Sequence, residues 1–458
     1  MARTVSIIEK AGDQGKLTLL LSIIIFFSVL NGTMFNVAVP DIALEFNLIP
    51  SEVSWVITGY IVILALGSVT YGKLADSYPV KDLVTIGLLL FNAGSLLGYF
   101  SRGYPMLVIA RLIQAGGGAA IPALAMLVAT KYFPVGIKGR VLGVISSTVA
   151  LGAGMGPVLG GFITNTFHWR YLFLITVTTL LTIPFFRQVL PDEETCRDGF
   201  DMTGLLLMGG VVASFLLFVT KLLWWLLPCG VILLAWFLLH IHRTEFPFVT
   251  PDLFANRLYR STVITAFLAM GTVFGMLFMI PIMLKSLNML NANQIGLVMF
   301  PGAICGAILG TFGGRLADRI GGVPVVYMGL GLLMSGYLGL STYAGSGPVV
   351  ISVCLMICYV GFTFAQSSLT HTVSTTLPGD VMGIGMGIYN LLFFMSGAFS
   401  AAILGKLLDL KASRLAVNPF LLHFDAALYS NLFILLIATV LSSAGLFYLS
   451  FRRKGLRG

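Results

Sequence analysis

Arg111 is the residue whose position asks most of its surroundings. It follows Leu107-Val-Ile-Ala110 and precedes Leu112-Ile113, inside an apolar run from 105 to 130. An ionised side chain about two turns into a lipid-embedded helix costs several kcal/mol unless it faces the bundle interior or snorkels to the interface. Facing inward, it would supply a fixed cation for a transported group or a coupling ion. Gln114 and Gly116-Gly-Gly118 lie on the following turns and offer a hydrogen-bonding group and room for a neighbouring helix. The inward reading makes Arg111 and Gln114 transport or coupling candidates; the snorkelling one leaves Arg111 an interfacial charge.

Asn31 and Asn36 lie in the first apolar run, and Gln366, His371, Tyr389 and Asn390 in or beside late ones. Amides in a membrane face the bundle as interhelical glue or as cavity lining, and spacing does not separate the two roles. Asn31, Asn36, Gln366, Tyr389 and Asn390 are cavity candidates on that footing. Trp55 and Tyr60 open the second run, where belt anchoring accounts for Trp55. In His240-x-His242 the rings diverge on a helix, so interfacial charge suits the pair better than a metal. No nucleophile–base pair, nucleotide-binding pattern or metal cluster appears, so the chain reads as a non-enzyme without a cofactor.

The elements that must position these residues are membrane helices. The chain has 458 residues, 57% hydrophobic and 10% charged, against ~25% charged in soluble domains. That excludes a soluble globular protein. Apolar runs fall at 17–38, 53–73, 82–100, 105–130, 141–163, 170–190, 203–220, 222–241, 259–284, 293–314, 323–343, 348–369, 382–408 and 428–451, which predicts fourteen spans. In the pair at 203–241, Lys221 and Pro228 are read as the reversal. The net charge of +9 does not indicate nucleic acid, because Lys and Arg concentrate in loops after even-numbered runs and in the tail. That bias predicts a multi-pass protein of the cell membrane with both termini cytoplasmic. Of five cysteines, Cys229, Cys305, Cys354 and Cys358 lie in apolar runs and read as packing residues.

Six of the eleven residues in Leu151-Gly-Ala-Gly-Met-Gly-Pro-Val-Leu-Gly-Gly161 are Gly or Ala. Small residues let a neighbouring helix approach to backbone contact, and Pro157 removes a backbone hydrogen bond that only a well-supported site tolerates. Gly154, Gly156 and Pro157 are therefore candidates for conformational gating; static glycine packing is the alternative. Gly72-Lys-Leu-Ala-Asp76 and Gly314-Arg-Leu-Ala-Asp318 each close an apolar run before a basic loop. With 203–241 as an insertion, runs 9–14 repeat runs 1–6. The expected organisation is an N-terminal six-helix bundle (1–202), two inserted helices (203–241) and a C-terminal six-helix bundle (242–458) with a cytoplasmic loop at its start and a basic tail. Asp76 and Asp318 suit a latch to a basic loop residue such as Arg140, or simple solvated charges.

Together these motifs resemble the major facilitator superfamily over nearly the whole chain. Gly72 through Lys81 resembles its helix 2–3 loop, although Pro79 stands where Gly is usual. Leu107 through Ala120 resembles its helix-4 arginine motif, and Gly152-x-Gly-x-Gly-Pro157 the helix-5 motif of antiporters. Leu30 through Pro40 and His168-Trp-Arg-Tyr-Leu-Phe173 resemble signatures of fourteen-helix drug/proton antiporters, with Gram-positive tetracycline exporters the nearest likeness.

The resemblance implies an all-α membrane protein of two six-helix bundles plus two central helices. It also implies monomeric efflux of a small hydrophobic substrate, such as tetracycline or its metal chelate, by proton antiport through alternating access. The expected carboxylates are missing. Asn31 replaces the helix-1 Asp of the drug/proton family, and Gly32, Ala153 and Gly397 stand where tetracycline exporters carry acids. Asp41, at the end of the first helix, is the leading coupling candidate left. A facilitator or exporter of a neutral or anionic metabolite suits the missing acids. A rival of another class is a non-transporting membrane sensor or scaffold, which has little reason to keep a buried Arg111 without an acid partner.

Overall fold

The computed structural model describes residues 11–191, 193, 201–244, 247–249, 251–377, 382–410 and 416–452. The first group of helices is α1 (Ala11–Glu45), α2 (Pro50–Val53) leading into α3 (Trp55–Ser77), α4 (Val80–Tyr99), α5 (Tyr104–Gly118) leading into α6 (Ala120–Lys131), α7 (Val135–Thr166), and α8 (Tyr171–Val177) leading through a 3-10 turn into α9 (Ile183–Val189). Next come α10 (Met202–Lys221) and α11 (Leu226–Ile241). The second group is α12 (Arg257–Asn288), α13 (Ala292–Ile320), α14 (Gly322–Thr342), α15 (Pro348–Thr376), α16 (Met382–Asp409) and α17 (Ala427–Arg452). Thirteen spans among the described residues are long and apolar enough to cross a membrane. The expected span at 222–241 is the sixteen-residue α11, roughly 24 Å long and short of a full crossing. The reversal is not at Pro228, which lies in the first turn of α11 where its missing N–H costs nothing. It is at Leu222, which ends α10 in the left-handed conformation with φ 51°.

The two groups meet chiefly along α7 against α13 and α3 against α16. In the repeat these are equivalent interfaces, because α3 and α13 end in the related motifs at 72–76 and 314–318. Glycines make the first one close. Along α7, Gly156 and Gly160 face α1, and a methyl group at Gly156 would collide with the Thr33 hydroxyl. On the other face, Gly161 lies against the Ala292 carbonyl and Gly296 of α13 against the Pro157 carbonyl. Only residues without a side chain allow helices this near, and the reward is dense dispersion contact that lipid cannot supply.

The Gly161–Ala292 and Pro157–Gly296 contacts lie toward one end of the bundle, called here the Asp41 end; the opposite end, where α3 stops and α4 begins, is the Lys81 end. At the Asp41 end Lys285 of α12 pairs with Asp41 of α1 at 3.3 Å. The Ser51 amide donates to Asp409 Oδ1 at 3.1 Å. Within the first group, Glu45 closes α1 onto α8: Arg170 pairs with it at 2.7 Å, His168 at 3.3 Å, and Trp169 Nε1 donates to it.

Gly161→Val should hold the Asp41 end apart. Reagent cross-linking of Ser51→Cys to Asp409→Cys, in a background without other cysteines, then slows about tenfold, in keeping with an overpacking cost of ~1–3 kcal/mol. Unchanged cross-linking would show that the seal does not depend on α7.

The helix pair α10–α11 is fastened to α3 at both of its ends. At the Asp41 end Lys221 pairs with Glu52 at 2.9 Å and Trp55 Nε1 donates to Thr220 Oγ1 at 3.3 Å. Trp55 is thus a tie between helices rather than a free interfacial anchor. At the Lys81 end buried Asp201 caps α10 through the Gly204 amide (2.7 Å), accepts from the Phe248 amide (2.9 Å) and pairs with His240 (2.7 Å). Lys73 of α3 donates to the Pro247 carbonyl and lies 5.7 Å from the Phe248 ring centre. His240 is therefore a structural lock, while His242 bonds only its own helix, to the Leu238 carbonyl.

Burial pushes the Asp201 carboxyl up, but the His240 bond and the two amides outweigh it and hold it below the usual carboxylate range. Such a group stabilises the fold above its unfolded-state pKa, and that stability is lost as pH falls through the lowered value. We expect Asp201→Ala to cost roughly 1–3 kcal/mol at neutral pH. In thermal melts of the detergent-solubilised chain the gap to the parent should narrow on acidification; a gap that widens toward acid would contradict this account.

Candidate functional site

Arg111 is 1% exposed and faces the bundle interior, so it does not snorkel. Gly103 and Pro105 start α5, whose following turns carry Arg111 to a junction with α1 and α3. The two neighbours contribute in the same way, each with an acceptor and, one turn on, an aromatic ring. From α1, Asn31 Oδ1 accepts from Arg111 Nη1 at 2.8 Å and the Phe35 ring lies 4.1 Å from the guanidinium. From α3, the Val56 carbonyl accepts from Nε at 3.2 Å and the Tyr60 ring lies 3.9 Å away. Gln114 Oε1 completes the set at 2.7 Å. The cation is held in an aromatic sandwich and hydrogen-bonded to neutral oxygens. Each desolvated cation–π contact is worth up to ~2 kcal/mol and each hydrogen bond to a charge about 1.5–3 kcal/mol, enough to offset a burial cost of several kcal/mol.

The charge is solvated by the protein but not neutralised. Every Asp and Glu among the described residues lies in a loop or in an end turn of a helix. Three polar atoms at the junction make no hydrogen bond to a described residue: Arg111 Nη2, Asn31 Nδ2 and the Tyr60 hydroxyl. From Gln114 a chain of hydrogen bonds crosses the first group, through Ser95 of α4 (2.8 Å) to Thr176 of α8 (2.7 Å). This spine fixes the guanidinium plane, since Gln114 Nε2 is committed to Ser95 while its oxygen faces Arg111.

Of the sequence candidates, Asn31, Arg111 and Gln114 come together. Asn36 is buried further along α1, beside Phe35 in sequence but outside the hydrogen-bonded set. Tyr389 is buried in α16, accepting from Thr370 of α15 at 3.4 Å, while Asn390 is exposed and Gln366 half-buried. No resolved hydrogen bond or ring contact links these three to Arg111. Gly154 approaches Ala303 of α13, and Gly156 and Pro157 sit in the α7 seal. Arg140 is exposed near the start of α7, and the side chains of Asp76 and Asp318, its expected latch partners, lie outside the described part. Phe35 and Tyr60 are the members that sequence reading missed: Phe35 passes for core, and Tyr60 reads as opening its helix at the interface.

A cavity of about 900 Å³ does not include Arg111. It lies across α5, on the face of Leu112 and Gly116, between α3 and α10. Cys354 and Cys358 are free, buried thiols packed among helices of the second group.

With this geometry in view, comparison with known proteins is direct. The chain is 27% identical over 395 residues to the riboflavin transporter RibZ of Clostridioides difficile, covering 83% of this chain and 86% of that one. It is 25% identical over 434 residues to the multidrug transporter protein MdtP of Bacillus subtilis, covering 91% and 80%. Among solved structures, a bacterial homologue of the human lysosomal transporter Spinster, in an inward-facing and occupied conformation, superposes with a TM-score of 0.67 at 14% identity, covering 97% of this chain and 98% of the other. The profile of the Major Facilitator Superfamily matches residues 21–402, and the chain, a multi-pass membrane transporter and not an enzyme, belongs to that family.

Proposed function

We propose that the chain is an exporter in the cell membrane, monomeric and with both termini cytoplasmic, that expels hydrophobic small molecules which are neutral or anionic when carried. Its units are the segments 1–202, 203–241 and 242–458. The observation that supports the substrate's charge is Arg111: the described helix interiors offer a permanent cation with unused donors and no carboxylate. A cationic drug would meet repulsion there and no anchor, whereas a carbonyl, enolate or carboxylate would find donors already fixed in a plane. Similarity to multidrug transporters supports hydrophobic drugs as the substrate class, and similarity to a riboflavin transporter supports a neutral heteroaromatic. Tetracycline fits this reading as a neutral or zwitterionic molecule, not as a cationic metal chelate. Carriage of one neutral or anionic metabolite is the second reading, favoured by the same missing acids.

The packing supports alternating access. In the orientation that Lys and Arg indicate, the Asp41 end is outer, so the structure is closed to the outside by the α7–α13 and α3–α16 contacts. Rocking of the two groups about α7 would part these contacts and open that end. Proton exchange is the coupling that the helix-5 motif implies. Asp41 is the coupling candidate, because its pair with Lys285 ties α1 to α12 at that end and loss of the pair would favour opening there.

The test of substrate charge uses a host lacking its own pumps. Expression should raise tolerance to neutral and anionic hydrophobic compounds and leave tolerance to permanent cations unchanged. Arg111→Ala should insert normally and lose transport at least about tenfold, while Arg111→Lys keeps part, since charge survives without the planar fork. Full transport by the Ala variant, or selective protection against cations, would sink this reading. For coupling, Asp41→Asn in proteoliposomes should lower pH-gradient-driven export about tenfold and leave exchange at equal pH intact. Gradient-driven flux that is unchanged would place proton binding elsewhere or remove protons from the cycle.

A further inference from the structure

The insertion is pinned to α3 at both ends but stands away from it in the middle. Between the Trp55–Thr220 and Lys73–Pro247 ties runs the 900 Å³ groove, lined by Ile63, Leu66, Gly116, Gly209 and Ala213 among others. Glycine on a membrane helix ordinarily marks close contact. Here a methyl group at Gly209 would meet only Leu66, at 3.7 Å. A gap of this size inside a bilayer forfeits dispersion along both walls unless something apolar fills it.

Its shape selects the occupant. It follows ~35 Å of α3, from Trp55 to Tyr78, with a mostly apolar lining, a long course that suits an extended hydrocarbon chain. At the Lys81 end the groove shares Tyr78, Leu83 and Ile86 with a second pocket of about 320 Å³, which holds Asp82, Thr85 and Arg187. Arg187 reaches Asp82 at 3.0 Å and is half exposed, so donors remain for an oxyanion at the membrane surface. We propose that this groove binds a glycerophospholipid as a structural ligand, with an acyl chain between α3 and α10 and its phosphate at Arg187. The lipid completes the packing between the insertion and the first group, in a place separate from the Arg111 junction.

The experiment is native mass spectrometry of the full chain, purified in mild detergent and re-lipidated with dioleoylphosphatidylglycerol. The parent should retain one phospholipid under activation that strips loosely held lipid. Gly209→Leu, which fills the groove, should lower its occupancy about tenfold, whereas Gly209→Ala leaves it unchanged. Arg187→Gln should lower it about threefold, and dioleoylglycerol, with the same chains and no phosphate, should bind at least about threefold more weakly. Should Gly209→Leu fail to fold, Ala213→Leu fills the same space from the next turn of α10. Undiminished lipid in a folded filling variant overturns the proposal. So does a transported compound, a detergent molecule or a second copy of the chain as the occupant that filling displaces.

Discussion

The close approach of α7 to both α1 and α13 is the contact on which much else depends. Gly156 and Gly160 seat it on α1, while Gly161 and Pro157 seat it against α13 of the other group. In lipid there is no hydrophobic force to press helices together, so the association must come from contact that lipid chains cannot match. Glycine supplies it by removing the side chain, and the same absence leaves no interlocking knob to be broken when the surfaces separate. A seam of this kind is dense when closed and cheap to open. Rocking of one group against the other needs such a surface, and the equivalent seam between α3 and α16 gives the motion a second, related track.

Within the first group the opposite strategy operates. Arg111 is fixed by directional bonds from three helices, by two rings, and by the Gln114–Ser95–Thr176 chain behind it. Directional bonds make α1, α3, α4, α5 and α8 one stiff unit, because displacing any of them strands a buried polar atom at ~1–3 kcal/mol. Rigid polar spine and smooth apolar seam are complementary: the first keeps a half intact while the second lets it move.

What could be read from the sequence and what could not divides along the same line. Run length and composition gave the spans, and glycine spacing in 151–161 pointed to a close-packed α7, because both are properties of one helix. Arg111 was legible as a charge that must face inward or snorkel, and packing decides for the first. Its partners were not, except Gln114 on its own helix: Asn31 lies eighty residues away in the chain, and nothing in its spacing says which helix it faces. Tyr60 was placed at the interface because helix position alone does not reveal a ring stacked beneath a guanidinium. The Asp41–Lys285 pair and the Asp201–His240 lock are likewise meetings across the chain, and the turn at Leu222 breaks the preference for glycine at positive φ. Periodicity gives each helix a face; only packing gives that face a neighbour.

The insertion shows how such meetings tie together elements that chain order leaves apart. A pair of helices that merely linked the halves would be attached by its chain ends and free along its length. Instead α10–α11 is tied to α3 at the Asp41 end by Lys221 and Thr220, and at the Lys81 end through Lys73 and the Asp201 cluster. Lys73 belongs to the first of the repeated helix-end motifs, and the segment it grips, Pro247-Phe248, lies on the path into α12. The grip therefore lies in the chain between the insertion and the second group. The insertion is thus tied to α3 by hydrogen bonds and an ion pair, while α10 also packs against α16 of the second group. A helix pair tied to α3 and packed against α16 flanks the α3–α16 seam, which gives the insertion a physical role beyond connection.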